Sequence, residues 1–229
     1  MPSVTIVIPA KDEETGLKFL FDDYSSSELS EKENLRFIIV LDGRTSDNSR
    51  EIAGKFSQEI IDQKQTHGKG SAMKQAIDAW KKERTDLVVF LDADGSYSFS
   101  SVKDIIERLV DGADVVSGSR FIGRSHKPEG MSRLHYFGNK ALSLFSSVRN
   151  RKKITDLCTG LWGFTSESID QINLNSTGFD LEAELFGKTR RLGLKHVEIP
   201  IKWSQRKGGS SKLRSIRDGI IIFLRIIMT

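Results

Sequence analysis

The chain has 229 residues, 38% of them hydrophobic and 29% charged, which excludes a disordered or fibrous protein and leaves room for one good core but not for two full catalytic domains. A single cysteine, Cys158, excludes a disulfide framework within the chain and suits a reducing compartment, so a cytoplasmic location is expected. The net charge of +4 is unevenly spread: six basic residues and no acidic one lie between Lys202 and Arg217, a density that points to a phosphate-bearing partner.

Val4 to Ile8 is a short apolar run rich in β-branched residues and reads as a strand buried on both faces. No charged segment with a long apolar stretch precedes it, so no signal peptide is expected. The run leads into Pro9-Ala10-Lys11-Asp12-Glu13-Glu14. Leu35 to Leu41 is the next such strand and ends in Asp42-Gly43-Arg44-Thr45-Ser46-Asp47, with a helical pattern over Thr45 to Phe56. His67-Gly68-Lys69-Gly70-Ser71 opens a helix over Lys69 to Lys82. Its two glycines permit close approach of the backbone to a ligand, and a helix start attracts anions, although a tight turn is the plainer reading. The spacing of a phosphate-binding NTPase loop is absent.

Leu87 to Leu91 is a strand followed directly by Asp92-Ala93-Asp94-Gly95. A helix over Ser101 to Leu109 follows, capped by Ser100 or Ser101 with Asp104 in its first turn, and then a short strand at Val115 to Val116. Strands alternating with helices predict a parallel sheet with right-handed crossovers, whose ligands bind beyond the carboxyl ends of the strands. Met131 to Val148 and Phe179 to Leu192 read as helices and Val197 to Trp203 as a strand, with a Gly- and Ser-rich loop over Ser204 to Lys212. The tail, Leu213 to Thr229, is apolar but interrupted by Arg214, Arg217, Asp218 and Arg225. It is too short to cross a bilayer and suits an amphipathic helix lying in the interface with its arginines toward anionic headgroups. A helix packed on the core, or on a second copy in a homodimer, is the alternative. The division expected is a catalytic domain over residues 1–212 and a C-terminal helix over 213–229.

Acidic groups thus gather at one edge of the sheet. Asp47 also suits a helix cap. Asp92 and Asp94 are harder to explain structurally, because adjacent carboxylates repel unless a cation compensates. Mg2+ or Mn2+ bridging a pyrophosphate is the matching cation, since hard metals take carboxylate and phosphate oxygens. Trp80, Trp162 and Trp203 read as packing residues.

Together these segments resemble the family 2 glycosyltransferases of the GT-A fold, and more narrowly the polyprenyl- and dolichyl-phosphate sugar synthases. Ile6-Val7-Ile8-Pro9-Ala10 with Glu13 resembles the opening motif, and Val40-Leu41-Asp42-Gly43 a V-D-D-G-S segment with Leu41 in place of Asp and Arg44 in place of Ser. Gly68-Lys69-Gly70, Asp92-Ala93-Asp94-Gly95, Gly118-Ser119-Arg120-Phe121, Asn139-Lys140, Thr155-Asp156-Leu157-Cys158-Thr159-Gly160 and Phe179 to Leu185 resemble further elements. Arg206, Gly209, Ser211, Lys212 and Leu213 fit an R-x-x-G-x-S-K-L element, and the Q-x-x-R-W motif of processive synthases is absent.

The resemblance implies a Rossmann-like α/β fold, with a mixed, mainly parallel sheet flanked by helices. It implies a nucleotide-sugar donor, a UDP- or GDP-sugar, held by Pro9, Ala10, Glu13, Asp42, Gly68, Lys69, Asp92, Ala93, Asp94, Arg206, Ser211 and Lys212. Asp42 would read the base, and Asp92 and Asp94 would hold the metal. Arg120 and Arg133 would hold the phosphate of a polyprenyl or dolichyl acceptor, with the enzyme peripheral at the inner face of the membrane. Asp94, Arg120 and Arg133 are the expected catalytic residues, with Glu182 and Glu184 as fallback bases or, equally, solvated helix residues. Two rival readings share parts of this pattern. One is a soluble glycosyltransferase acting on a hydroxyl of a small phosphorylated acid, which needs a true base. The other is a basic nucleic-acid-binding domain, which leaves the acidic sheet edge unexplained; no nucleic acid is expected as partner.

Overall fold

The structure is a computed structural model that describes every residue except 1, 33, 58, 65, 125 and 209–214. The elements are β1 (Val4–Ala10), α1 (Glu14–Ser25), β2 (Leu35–Asp42), α2 (Ser49–Phe56), β3 (Ile60–Gln63), α3 (Lys69–Trp80), β4 (Leu87–Leu91), α4 (Phe99–Val110), β5 (Val115–Ser119), α5 (Arg133–Arg149), β6 (Leu161–Thr165), α6 (Ser166–Gln171), α7 (Leu181–Arg191), β7 (His196–Pro200) and α8 (Ser215–Met228).

The strands form one sheet in the order β3-β2-β1-β4-β6-β5-β7. All pairs are parallel except those made by β6, which runs antiparallel to both β4 and β5. The expected mixed, mainly parallel sheet is therefore observed. Alternation along β1 explains its burial on both faces. Val4, Ile6, Ile8 and Ala10 pack with Leu17, Leu20 and Phe21 of α1 and Val102 of α4, while Val7 points to the opposite layer, with Met73 of α3, Leu185 of α7 and Ile222 and Ile226 of α8.

Two helix starts differ from the sequence reading for local reasons. The segment before α2 is a turn and not helix: Thr45 N donates to Asp42 O, and Asp47 Oδ1 accepts both the amide and the hydroxyl of Ser49. Helix α4 starts at Phe99, not Ser101, because the Phe99 amide donates to Asp23 Oδ2 of α1 at 2.6 Å. Ser98 is its cap residue, and Asp104 lies beyond the first turn.

Helix α8 packs on α5 and α7. Ile222 and Ile226 face the core, and Arg225 Nε meets Asp180 Oδ2 at 2.7 Å. Arg225 therefore anchors the helix to the body of the protein instead of pointing to headgroups, a correction to the sequence reading. No described helix is long and apolar enough to cross a membrane. The expected boundary between residues 212 and 213 falls outside the described residues.

Candidate active site

The carboxyl ends of β1, β2 and β4 open on one cavity of about 310 Å³. Pro9, Ala10, Glu13, Asp42, Gly68, Lys69, Asp92, Ala93, Asp94 and Arg206 all line it. This is the whole expected donor set apart from Ser211 and Lys212, which lie outside the described residues.

The cavity is built from three ion-pair clusters. In the first, Lys69 Nζ sits 2.6 Å from Asp92 Oδ1 and 2.6 Å from Glu182 Oε1. Burial pushes the Asp92 and Glu182 carboxyls up, and Lys69 pulls against that shift. In the second, Arg206 donates to Glu13 Oε1 at 2.7 Å and to Asp94 Oδ2 at 3.1 Å, while Ser96 N donates to Asp94 Oδ1. In the third, Arg44 forks onto Asp42, with Nε to Oδ1 at 2.8 Å and Nη2 to Oδ2 at 2.7 Å. The Arg44 hydrogen bonds hold the Asp42 carboxyl down at about 2.

Asp92 and Asp94 offer hard oxygen donors side by side, now balanced by Lys69 and Arg206. Among the described residues no group of three or more His, Cys, Asp or Glu side chains is arranged to hold a metal ion. Two carboxylates suit Mg2+ or Mn2+, which take few protein ligands and fill the rest of their shell with phosphate oxygens and water. A side chain at Gly160 would collide with the Asp92 carboxylate, so the glycine keeps room for it. The residues present fit the metal.

A second cavity, of about 650 Å³, opens off the same clusters and runs between α5 and α8. Lys69, Asp92, Asp94, Phe179 and Arg206 line both cavities, and Arg120 and Glu182 line the second.

Residues 5–172 match the sequence model described as Glycosyl transferase family 2. The chain belongs to this family. Glycosyltransferase AglJ of Haloferax volcanii is 29% identical, over 98% of this chain and 71% of its own length. The dolichyl-phosphate hexose transferase of the same organism is 30% identical, over 83% of this chain and 79% of its own. The solved glucosyl-3-phosphoglycerate synthase of Mycobacterium tuberculosis, in complex with Mn2+, UDP and glucosyl-3-phosphoglycerate, superposes with a TM-score of 0.73 at 18% identity, over 99% of this chain and 77% of that one. At that identity the likeness shows the fold, which is GT-A.

Several expected roles in this glycosyltransferase need correction. Glu184 is no candidate base: it is fully buried, lines neither cavity, accepts the Asn175 and Ser176 amides and pairs with Lys188 at 2.7 Å. Arg133, the first residue of α5, is exposed and lines neither cavity. Arg120 reaches the second cavity with its fork already engaged, Nε to Asp156 Oδ2 and Nη2 to Asp156 Oδ1, both at 2.7 Å. Gly68 lines the first cavity, but the first amides of α3 are not left for an anion. The Gly70 and Ser71 amides donate to the carbonyls of Gly178 and Thr177, and side chains at the two glycines would collide with the Thr177 and Ser176 carbonyls.

Three contributors escaped the sequence reading. Asp156 receives both Arg120 and Asn139 Nδ2. Gln63 and Phe179 line the donor cavity from β3 and from the turn before α7. Asp156 and Phe179, each inside a quoted motif, carried a signal in the sequence, and Gln63 carried none.

Proposed function

We propose that this glycosyltransferase moves a sugar from a nucleotide-sugar donor to a polyprenyl or dolichyl phosphate at the inner face of a membrane. The observation that carries this reading is the second cavity. It joins the Asp92 and Asp94 end of the first, and its walls are largely apolar, with Met131, Leu134 and Leu142 on one side and Ile216, Ile220 and Phe223 on the other. A small polar acceptor has no use for such walls, and a lipid chain does. The dolichyl-phosphate hexose transferase among the relatives acts on an acceptor of this class.

The donor lies in the first cavity, its base toward Asp42 and its diphosphate toward Asp92 and Asp94. Asp92 and Asp94 would hold Mg2+ or Mn2+, which when bound would supply charge neutralisation for the departing diphosphate. Lys69 and Arg206 add fixed positive charge at the same end of the cavity. A phosphate oxygen of the acceptor forms the new bond to the anomeric carbon as the bond to the diphosphate breaks, which by family resemblance inverts that carbon. The phosphate is ionised at neutral pH, so no side chain has to take a proton from it. Glu182 is then needed to hold Lys69 and not as a base. Arg120 lines the acceptor side with Nε and Nη2 held by Asp156, so it meets the acceptor phosphate only through the rest of its guanidinium.

The outer faces of α5 and α8 extend the apolar walls to the surface. Leu134, Phe137, Leu144 and Val148 of α5, and Ile216, Ile220, Leu224 and Met228 of α8, are all exposed. They leave two apolar helix faces open to solvent, with Arg217 of α8 exposed as well. The intact chain is expected to co-sediment with anionic vesicles, and the double variant Phe137→Glu/Ile220→Glu to lose most of that binding while melting like the parent. Absence of vesicle binding by the parent, or unchanged binding by the variant, would contradict surface docking.

A further inference from the structure

The donor reading leaves one feature of the first cavity without a role. Arg44, two residues past the end of β2, is more than half exposed and stands on the cavity wall, yet it is fastened to the most enclosed carboxylate there. Its Nε and Nη2 take one oxygen each of Asp42, and its backbone amide adds a third hydrogen bond, to Oδ1, at 2.9 Å. Asp42 itself is only 5% exposed, with His67 Nδ1 at 3.2 Å from Oδ1.

We infer that Arg44 reads the donor base together with Asp42 and so sets which nucleotide is accepted. The inference rests on the first cavity being the donor site. A carboxylate alone offers only acceptors, and it is equally open to any N–H that reaches it. The Arg44 fork fixes the plane of the Asp42 carboxylate and occupies part of each oxygen. The second hydrogen of Nη2 is not part of that fork and places a donor beside the outer lone pair of Oδ2. Asp42 and Arg44 therefore present a planar edge with acceptor next to donor. A base binds it well only when its own edge carries the complementary pair at the matching spacing, and a mismatched edge leaves a buried polar group unpaired. The planar guanidinium also offers a stacking surface that a short hydroxyl side chain in the same place cannot.

The competing explanation is a surface ion pair that merely neutralises Asp42. The two differ in an observable way. Loss of a neutralising charge changes the affinity for every nucleotide by one common factor, whereas loss of a reading residue changes the ratios between them.

The test measures binding of UDP, GDP, CDP and ADP by calorimetry, with Mn2+ present, for the parent, Arg44→Ser, Arg44→Lys and Asp42→Asn. The parent is expected to prefer one base by tenfold or more. Arg44→Ser should compress that spread by about tenfold while keeping the parent's melting temperature. Arg44→Lys should compress it also, since it keeps the charge and loses the fork. An unchanged spread in both Arg44 variants, or one common loss for all four nucleotides, overturns the inference while leaving the donor site intact. Failure of the parent to bind any of the four overturns the donor-site reading, and the inference with it. Asp42→Asn separates the partners: it should weaken the preferred nucleotide at least as much as Arg44→Ser does.

Discussion

Replacing Asp94 by Ala is expected to lower glycosyl transfer by about a thousandfold or more, with little change in stability. Asp94 stands at the carboxyl end of β4, on the wall shared by both cavities. Among the described residues its carboxylate accepts from the Ser96 amide and from Arg206. Arg206 keeps Glu13 as partner when Asp94 is removed, so no buried charge is stranded. The loss therefore falls on the metal and the diphosphate. Calorimetry should show weakened Mn2+ binding in the presence of nucleotide, and a chelator should silence the parent until Mg2+ or Mn2+ is restored. A folded Asp94→Ala variant with full activity would refute the assignment.

Arg120→Ala is expected to act in the opposite manner, chiefly through stability. Asp156 is fully buried, and three of the hydrogen bonds to its carboxylate come from Arg120. One of these is from the backbone amide and survives the substitution, as does that from Asn139. Removing the guanidinium still leaves a buried carboxylate without a counter-charge, a defect of about 3–5 kcal/mol. For a chain of this size that is a fall in Tm of roughly 6–20 °C. Arg120→Ala/Asp156→Asn should recover part of the loss, because the stranded group is then neutral. Below its melting temperature Arg120→Ala should bind nucleotide normally and show a raised acceptor KM. Melting at the parent temperature would show that the pair does not hold this part of the fold.

The donor half was legible because its signals are local. Leu87 to Leu91 is a run of five buried residues, and whatever follows such a strand in a parallel sheet lies at the ligand edge. Asp92 and Asp94 could be placed from the sequence for that reason. The same logic brought Glu13 and Asp42 to the cavity. β6 was not legible: Leu161-Trp162-Gly163-Phe164-Thr165 carries a glycine at its centre, needed because any side chain there would meet Ile105. Pairing in a central antiparallel position depends on strands far away in the chain. β3 is only four residues long and holds Asp62 and Gln63 among its members.

The acceptor half was less legible because similar residues serve different partners there. Glu182 and Glu184 are two positions apart on α7, yet one faces Lys69 and the other caps the Asn175–Ser176 turn. Arg120 and Arg133 match the same family pattern, yet one is locked on Asp156 and the other is exposed. Arg225 interrupts an apolar run in the sequence and so reads as a surface charge, but it pairs with Asp180, whose other oxygen accepts the Ser176 hydroxyl. Such pairings follow from tertiary contact and have no period or spacing.

The most direct test of the proposed reaction is a transfer assay on the intact chain in detergent. Radiolabelled UDP- and GDP-sugars are supplied with a polyprenyl phosphate and Mg2+ or Mn2+, with phosphoglyceric acid as the competing soluble acceptor. The predicted result is label in an organic-extractable lipid product, dependent on the metal and lost in Asp94→Ala. Label appearing only in the soluble acceptor, with none in lipid, would contradict it.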